Sequence, residues 1–188
     1  MPVIYGSVRS ERQGIRAARY VLRRLDALGV DGVLVDPMEN KLPLLDKMYK
    51  EYDAGTAPPE LEKLADLYRK ADGFIVVCGE YNHAIPPAMS NQLDYFLEEF
   101  FWRPCGIVSY SGGRFSGVRA SMMLRAMLSE LGMVTLPSDM PIARVQDAFD
   151  DQGLPADPQM DARNETFFAE LMWYMTALRN QRAQGTPY

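Results

Sequence analysis

Short apolar runs alternate along the chain with stretches whose apolar residues recur at helical spacing. Pro2-Val3-Ile4-Tyr5 reads as a first strand and leads into Gly6-Ser7. Ile15, Ala18, Leu22, Leu25 and Leu28 then fall at three- and four-residue intervals, which predicts a helix stopped at Gly29. Gly32 to Asp36 predicts a second strand, and Pro37 to Ala57 a long irregular connection anchored by Leu42-Pro43-Leu44-Leu45. Pro58-Pro59-Glu60 opens a helix to about Ala71, because proline fits a first helical turn. Phe74 to Cys78 predicts a third strand. A helix from about Pro86 to Phe101 follows, with Met89, Leu93, Phe96, Leu97 and Phe100 on one side. Cys105 to Ser109 predicts a fourth strand and Val118 to Leu131 a helix. A short strand near Val134-Thr135-Leu136, a Pro- and Asp-rich loop from Pro137 to Pro158, and a helix from about Asp161 to Gln184 complete the chain.

Repeated strand–helix alternation predicts a parallel sheet covered by helices on both faces. Five strands in this pattern fit a flavodoxin-like doubly wound sheet. No internal repeat or low-complexity linker divides the chain, so residues 1–188 are expected to form one domain.

Composition narrows the function classes. A net charge of −5 disfavours a generic nucleic-acid binder, which needs a basic face. No apolar run approaches the roughly 20 residues of a membrane span, and no signal peptide is visible. Cys78 ends its strand while Cys105 begins the next, so the two are expected to stay apart as reduced thiols of a cytoplasmic protein. One histidine and two strand-bound cysteines make a zinc site an unfavourable reading, and no metal is expected.

The chemistry gathers in three turns at the carboxyl ends of strands one, three and four, which share one rim of a parallel sheet. The first, Gly6 to Ile15, offers a hydroxyl, two guanidiniums and a helix N-terminus, all suited to a phosphate. It is neither a P-loop nor Gly-x-Gly-x-x-Gly, so a monophosphate fits better than ATP; a solvated loop with surface arginines would read the same way. The second, Gly79-Glu80-Tyr81-Asn82-His83, carries an aromatic ring and amide groups suited to a flat polar ligand, although Tyr81-Asn82 also reads as plain turn chemistry. The third, Ser109 to Gly117, contains glycines that let backbone approach a ligand, or simply a flexible loop.

Taken together, Gly6-Ser7-Val8-Arg9, Glu80-Tyr81-Asn82-His83 and Ser109-Tyr110-Ser111-Gly112-Gly113 resemble the NADPH-dependent FMN reductase family, which has a flavodoxin-like fold. Pro86, Asn91 and Asp94 resemble that family's pattern after the second turn, and the likeness runs to about Leu136. The resemblance implies one FMN per subunit. Its phosphate would be held by Ser7, Arg9, Gln13, Gly14 and Ile15. Glu80, Tyr81, Asn82 and His83 would line the isoalloxazine, and Ser111, Gly112 and Gly113 would close its other side. It further implies a homodimer or a dimer of dimers (a homotetramer), with the Pro86–Phe101 helix and its Phe96, Phe100, Phe101 and Trp102 partly against a partner. Gly79 departs from the family's proline before Glu80.

The implied activity is ping-pong transfer of hydride from NADPH or NADH to the flavin, and of electrons onward to a flavin, quinone or similar small-molecule acceptor. FMN would carry the chemistry, so no catalytic side chain is expected. The rival reading is a non-enzymatic flavodoxin-like electron carrier or redox-responsive protein. The Ser/Thr-x-Thr-Gly-x-Thr loop of flavodoxins is absent from this sequence.

Overall fold

In the computed structural model, which describes residues 1–188, β1 (Pro2–Tyr5) leads through the first turn to α1 (Ile15–Ala27) and β2 (Val33–Val35). Then come α2 (Pro59–Arg69), β3 (Phe74–Gly79), α3 (Pro87–Asp94), β4 (Pro104–Tyr110) and α4 (Val118–Glu130). The chain closes with β5 (Val134–Thr135), β6 (Met140–Ile142), α5 (Val145–Ala148), α6 (Met160–Arg163) and α7 (Glu165–Arg182). All strand pairs are parallel, in the order β2-β1-β3-β4-β5, and β6 also pairs with β4.

The continuous apolar runs are explained by burial on both faces. Successive strand side chains point to opposite sides. Phe74, Val76 and Cys78 of β3 therefore enter a core shared with α2, α3 and α4, while Ile75 and Val77 enter one shared with α1 and α7. Phe74 pairs with Cys105 and Cys78 with Ser109, which keeps the two cysteines four residues out of register; both are buried free thiols.

Three expectations are corrected. The sheet has six strands rather than five, because one edge position is shared. β5 pairs with Pro104 and Cys105 at the start of β4, and β6 with Val108 to Tyr110 at its end. Pro137 has no N–H to continue a ladder, so the edge breaks there and resumes at Met140. The stretch expected to be an irregular loop, Pro137 to Pro158, thus contains β6 and α5. Second, the helix expected from Pro86 to Phe101 ends at Asp94, and a single 3-10 turn over Glu98–Phe100 follows. The break turns Phe96 and Phe100 inward onto Tyr68, with centroid separations of 4.9 and 5.3 Å. Both rings are buried within this chain, so neither is left for a partner. Third, the last helix is divided at Asn164, whose side chain donates to the Tyr20 hydroxyl at 3.3 Å.

No helix is long and apolar enough to cross a membrane.

Candidate active site

The first turn is anchored before it can present anything. A Cβ at Gly6 would stand 2.7 Å from the Met89 side chain, so only glycine lets the end of β1 sit against α3. Ser7 is buried, and its carbonyl accepts from Arg12 Nη1 at 3.1 Å. Arg12 in turn forks onto both carboxylate oxygens of Asp36, just past β2, at 2.5 Å each. Arg12 is therefore committed to holding the turn. Arg9 makes no ion pair and is exposed on the cleft.

The backbone N–H groups of Ser10, Glu11, Arg12, Gln13 and Gly14 find no acceptor in the protein. Gly14 caps α1 with no side-chain hydrogen bond, leaving the positive end of the helix open. Free N–H donors around an unpaired guanidinium form a donor set for an anion. Glu11, also on the cleft, is the one opposing charge.

In the second turn Tyr81 and Ala84 exchange backbone hydrogen bonds at 3.1 and 2.9 Å around Asn82 and His83. Both central residues have positive φ, 51° and 65°, as in a type I′ turn. Asn82 and His83 are exposed at its tip and stand outside the cleft lining. Glu80 points away from the cleft. Its carboxylate accepts the N–H of Arg119 at 3.0 Å and of Ala120 at 3.4 Å, capping the first turn of α4 from another loop. Glu80 thereby ties the second turn to the third.

The third turn is held by the segment beyond β5. Ser111 N–H donates to the Ile142 carbonyl at 3.2 Å, Arg144 N–H to the Gly113 carbonyl at 3.0 Å, and Gln146 Nε2 to the Gly112 carbonyl at 3.3 Å. A Cβ at Gly113 would meet nothing within 4 Å, and one at Gly112 only Gln146 at 3.7 Å. Protein packing does not demand glycine at either position.

The three turns enclose a cleft of about 190 Å³ lined by Ser7, Arg9, Glu11, Arg12, Gln13, Gly14, Tyr81, Tyr110, Gly112, Val145 and Gln146. Of the residues singled out in the sequence, the fold brings Ser7, Arg9, Gln13, Gly14, Tyr81 and Gly112 onto it. Ile15, Glu80, Asn82, His83, Ser111 and Gly113 stand behind or beside it. Tyr110 joins the lining without a site signal of its own in the sequence. It ends the β4 apolar run, and burial pushes its phenol well above the ordinary tyrosine range. Val145 and Gln146 carried no sequence signal, being brought in by β6 and α5. A larger hollow of about 340 Å³ beside α2 is lined by Tyr49, Glu62, Arg69 and Glu99. Tyr49 is already hydrogen-bonded to Glu62 at 2.7 Å and Arg69 to Glu99 at 2.9 Å, so that hollow presents no comparable donor set.

The cleft combines unpaired N–H donors and a free arginine with the Tyr81 and Tyr110 side chains and the open position at Gly112, features that suit a phosphate-bearing flat ligand. Comparison with known proteins agrees. The model of the NADPH-dependent FMN reductase family matches residues 2–147. The chain is 31% identical over 143 residues to the NADH:(hydroxy)cinnamate reductase subunit CrdA of Vibrio ruber, covering 71% of each. It is 30% identical over 154 residues to a quinone reductase of Pseudomonas putida, covering 78% of this chain and 75% of that one. In structure it is similar to FerB, a flavoenzyme NAD(P)H:(acceptor) oxidoreductase from Paracoccus denitrificans, with a TM-score of 0.73, 18% identity, and 95% and 96% of the two chains covered. The matched stretch contains all three turns and the α5 residues that complete the cleft, so the chain belongs to the NADPH-dependent FMN reductase family and is an FMN-dependent NAD(P)H oxidoreductase.

Proposed function

We propose that residues 1–188 form one FMN-binding unit in which the first turn takes the flavin phosphate. The observation that carries this is the run of unpaired N–H groups from Ser10 to Gly14 beside the unpaired Arg9. Ser7 and Gln13 add polar side chains to the same wall. Bound FMN supplies the hydride and electron chemistry. Tyr81 and Tyr110 then bound the cleft, Gly112 leaves backbone accessible on its lining, and Val145 excludes water from one side. NAD(P)H and the acceptor, a flavin, quinone or similar small molecule, would use that one cleft in turn, which predicts ping-pong kinetics.

The finer features follow from surface chemistry. Phe115, Val118, Met122 and Met123 are exposed, and Val118 and Met122 share one stripe of α4. We assign the homodimer contact to this face instead of to the rings after α3. Two free buried thiols fit a reducing, cytoplasmic setting.

The test is Arg9→Ala. One charge-assisted contact is worth ~1.5–3 kcal/mol, so FMN affinity should fall by about ten- to a hundredfold. Turnover of the FMN-saturated variant should change little. Equal FMN affinity in variant and wild type would overturn the phosphate assignment.

A further inference from the structure

Tyr81 comes from the second turn, yet it lines the cleft with its hydroxyl against the first turn. Its Oη lies 3.1 Å from Ser7 Oγ, joining residues 74 positions apart. Ser7 is held firmly: Gly6 is wedged against Met89, and the Ser7 carbonyl is taken by Arg12. Its hydroxyl has one proton and two lone pairs. The N–H of Arg9, which can only donate, approaches Ser7 Oγ at 3.4 Å. The nearby Tyr5 hydroxyl accepts from Tyr110 at 3.4 Å, and the Ser7 hydroxyl makes its side-chain hydrogen bond to Tyr81 alone.

This arrangement leaves one choice. If Ser7 gives its proton to Tyr81, it turns a lone pair toward the anion in the first turn, which is repulsive. If Tyr81 gives its proton to Ser7, the Ser7 proton is released toward the anion, and the two bonds polarise each other in the same direction. An anion in the cleft selects the second arrangement. Resting on the phosphate reading above, we propose that Tyr81 is a positioning residue for the flavin phosphate: it orients the Ser7 hydroxyl as a donor instead of serving only as a wall for the ring.

The experiment measures dissociation constants of FMN and of riboflavin, which lacks the phosphate, for wild type, Tyr81→Phe, Ser7→Ala and the double variant. Removal of Tyr81 Oη should weaken FMN about three- to tenfold, the scale of one hydrogen bond, and leave riboflavin within about twofold. In the Ser7→Ala background the same change should have no effect on FMN. Equal weakening of both flavins by Tyr81→Phe would overturn the proposal in favour of a ring-wall role. A loss of FMN affinity that persists without Ser7, or no loss at all, would also overturn it. Wild type that binds the two flavins equally would instead remove the phosphate reading, and this proposal with it. Tyr81→Phe deletes one oxygen from a half-buried side chain, so its FMN-to-riboflavin ratio decides the matter even where Ser7→Ala does not fold.

Discussion

The ring of Tyr110 lies where a side chain at Gly14 would have to stand: a Cβ there would be 2.0 Å from Tyr110 Cζ. Gly79, paired with Tyr110 across the sheet, faces the same ring, with a Cβ 3.0 Å from Cζ and Oη. Gly14 has φ −63° and ψ −15°, which any residue adopts, so space alone requires its glycine. A side chain at Gly79 would crowd the same ring, though less severely than one at Gly14.

Gly14→Ala should therefore destabilise the protein, although its backbone angles suit alanine. Overpacking costs ~1–3 kcal/mol and exceeds the ~0.4–1 kcal/mol an alanine gains by restricting the unfolded chain. Gly79→Ala, with the wider spacing, should cost less. Urea unfolding of Gly14→Ala in wild-type and Tyr110→Ala backgrounds checks the cause. A penalty that survives removal of the ring would show that Tyr110 is not the obstacle.

Arg12 and Asp36 make a second structural pair at the site. The Asp36 side chain is 2% exposed, so Arg12→Ala leaves a buried carboxylate without its cation. The remaining partner is the Met38 N–H at 2.9 Å. Breaking such a pair from one side costs ~3–5 kcal/mol when fully buried, and somewhat less here because Arg12 keeps 16% exposure. Asp36→Asn added to Arg12→Ala should restore part of the loss. FMN affinity should fall with Arg12→Ala, through the displaced Ser7 carbonyl, and additivity of the two substitutions would contradict the pairing.

The two thiols should be silent in the folded protein. Burial pushes Cys78 up to about 12, with Glu80 adding to the effect, and burial likewise pushes Cys105 up to about 12, against an ordinary value of 9.0. A raised folded value means that the native state holds the proton more tightly. The contribution to stability is complete below pH about 9 and is lost as pH rises toward about 12. Each thiol adds a slope of ~1.4 kcal/mol per pH unit in that window. A thiol reagent at pH about 8 should label neither cysteine until the chain unfolds, when both react. Prompt labelling of the native protein would contradict the burial.

The α4 face gives the assembly prediction. Met122 is 68% exposed and Met123 48%. Met122→Asp should shift the protein to monomer in sedimentation while leaving its folding stability within ~0.5 kcal/mol, as at other exposed positions. A dimer unchanged by that substitution would place the contact elsewhere.

By itself the sequence determined the elements with regular periodicity: the parallel sheet, the helices on both faces, and three polar or glycine-rich turns on one rim. Strand and helix periods are local, so they can be read from spacing. The Pro86–Phe101 helix misled because Phe96, Leu97 and Phe100 keep helical spacing beyond the point where the chain bends to bury two of those rings. Only the tertiary structure decided what each turn's side chains do. Glu80 caps a helix that begins 38 residues later, Arg12 answers a carboxylate at the end of another strand, and Tyr81 reaches Ser7 from 74 residues away. These pairings depend on which loops the sheet order sets side by side, and no local pattern encodes that neighbour. Val145 and Gln146 reach the cleft for the same reason: a proline breaks the edge strand, and the chain returns to β4 opposite the third turn.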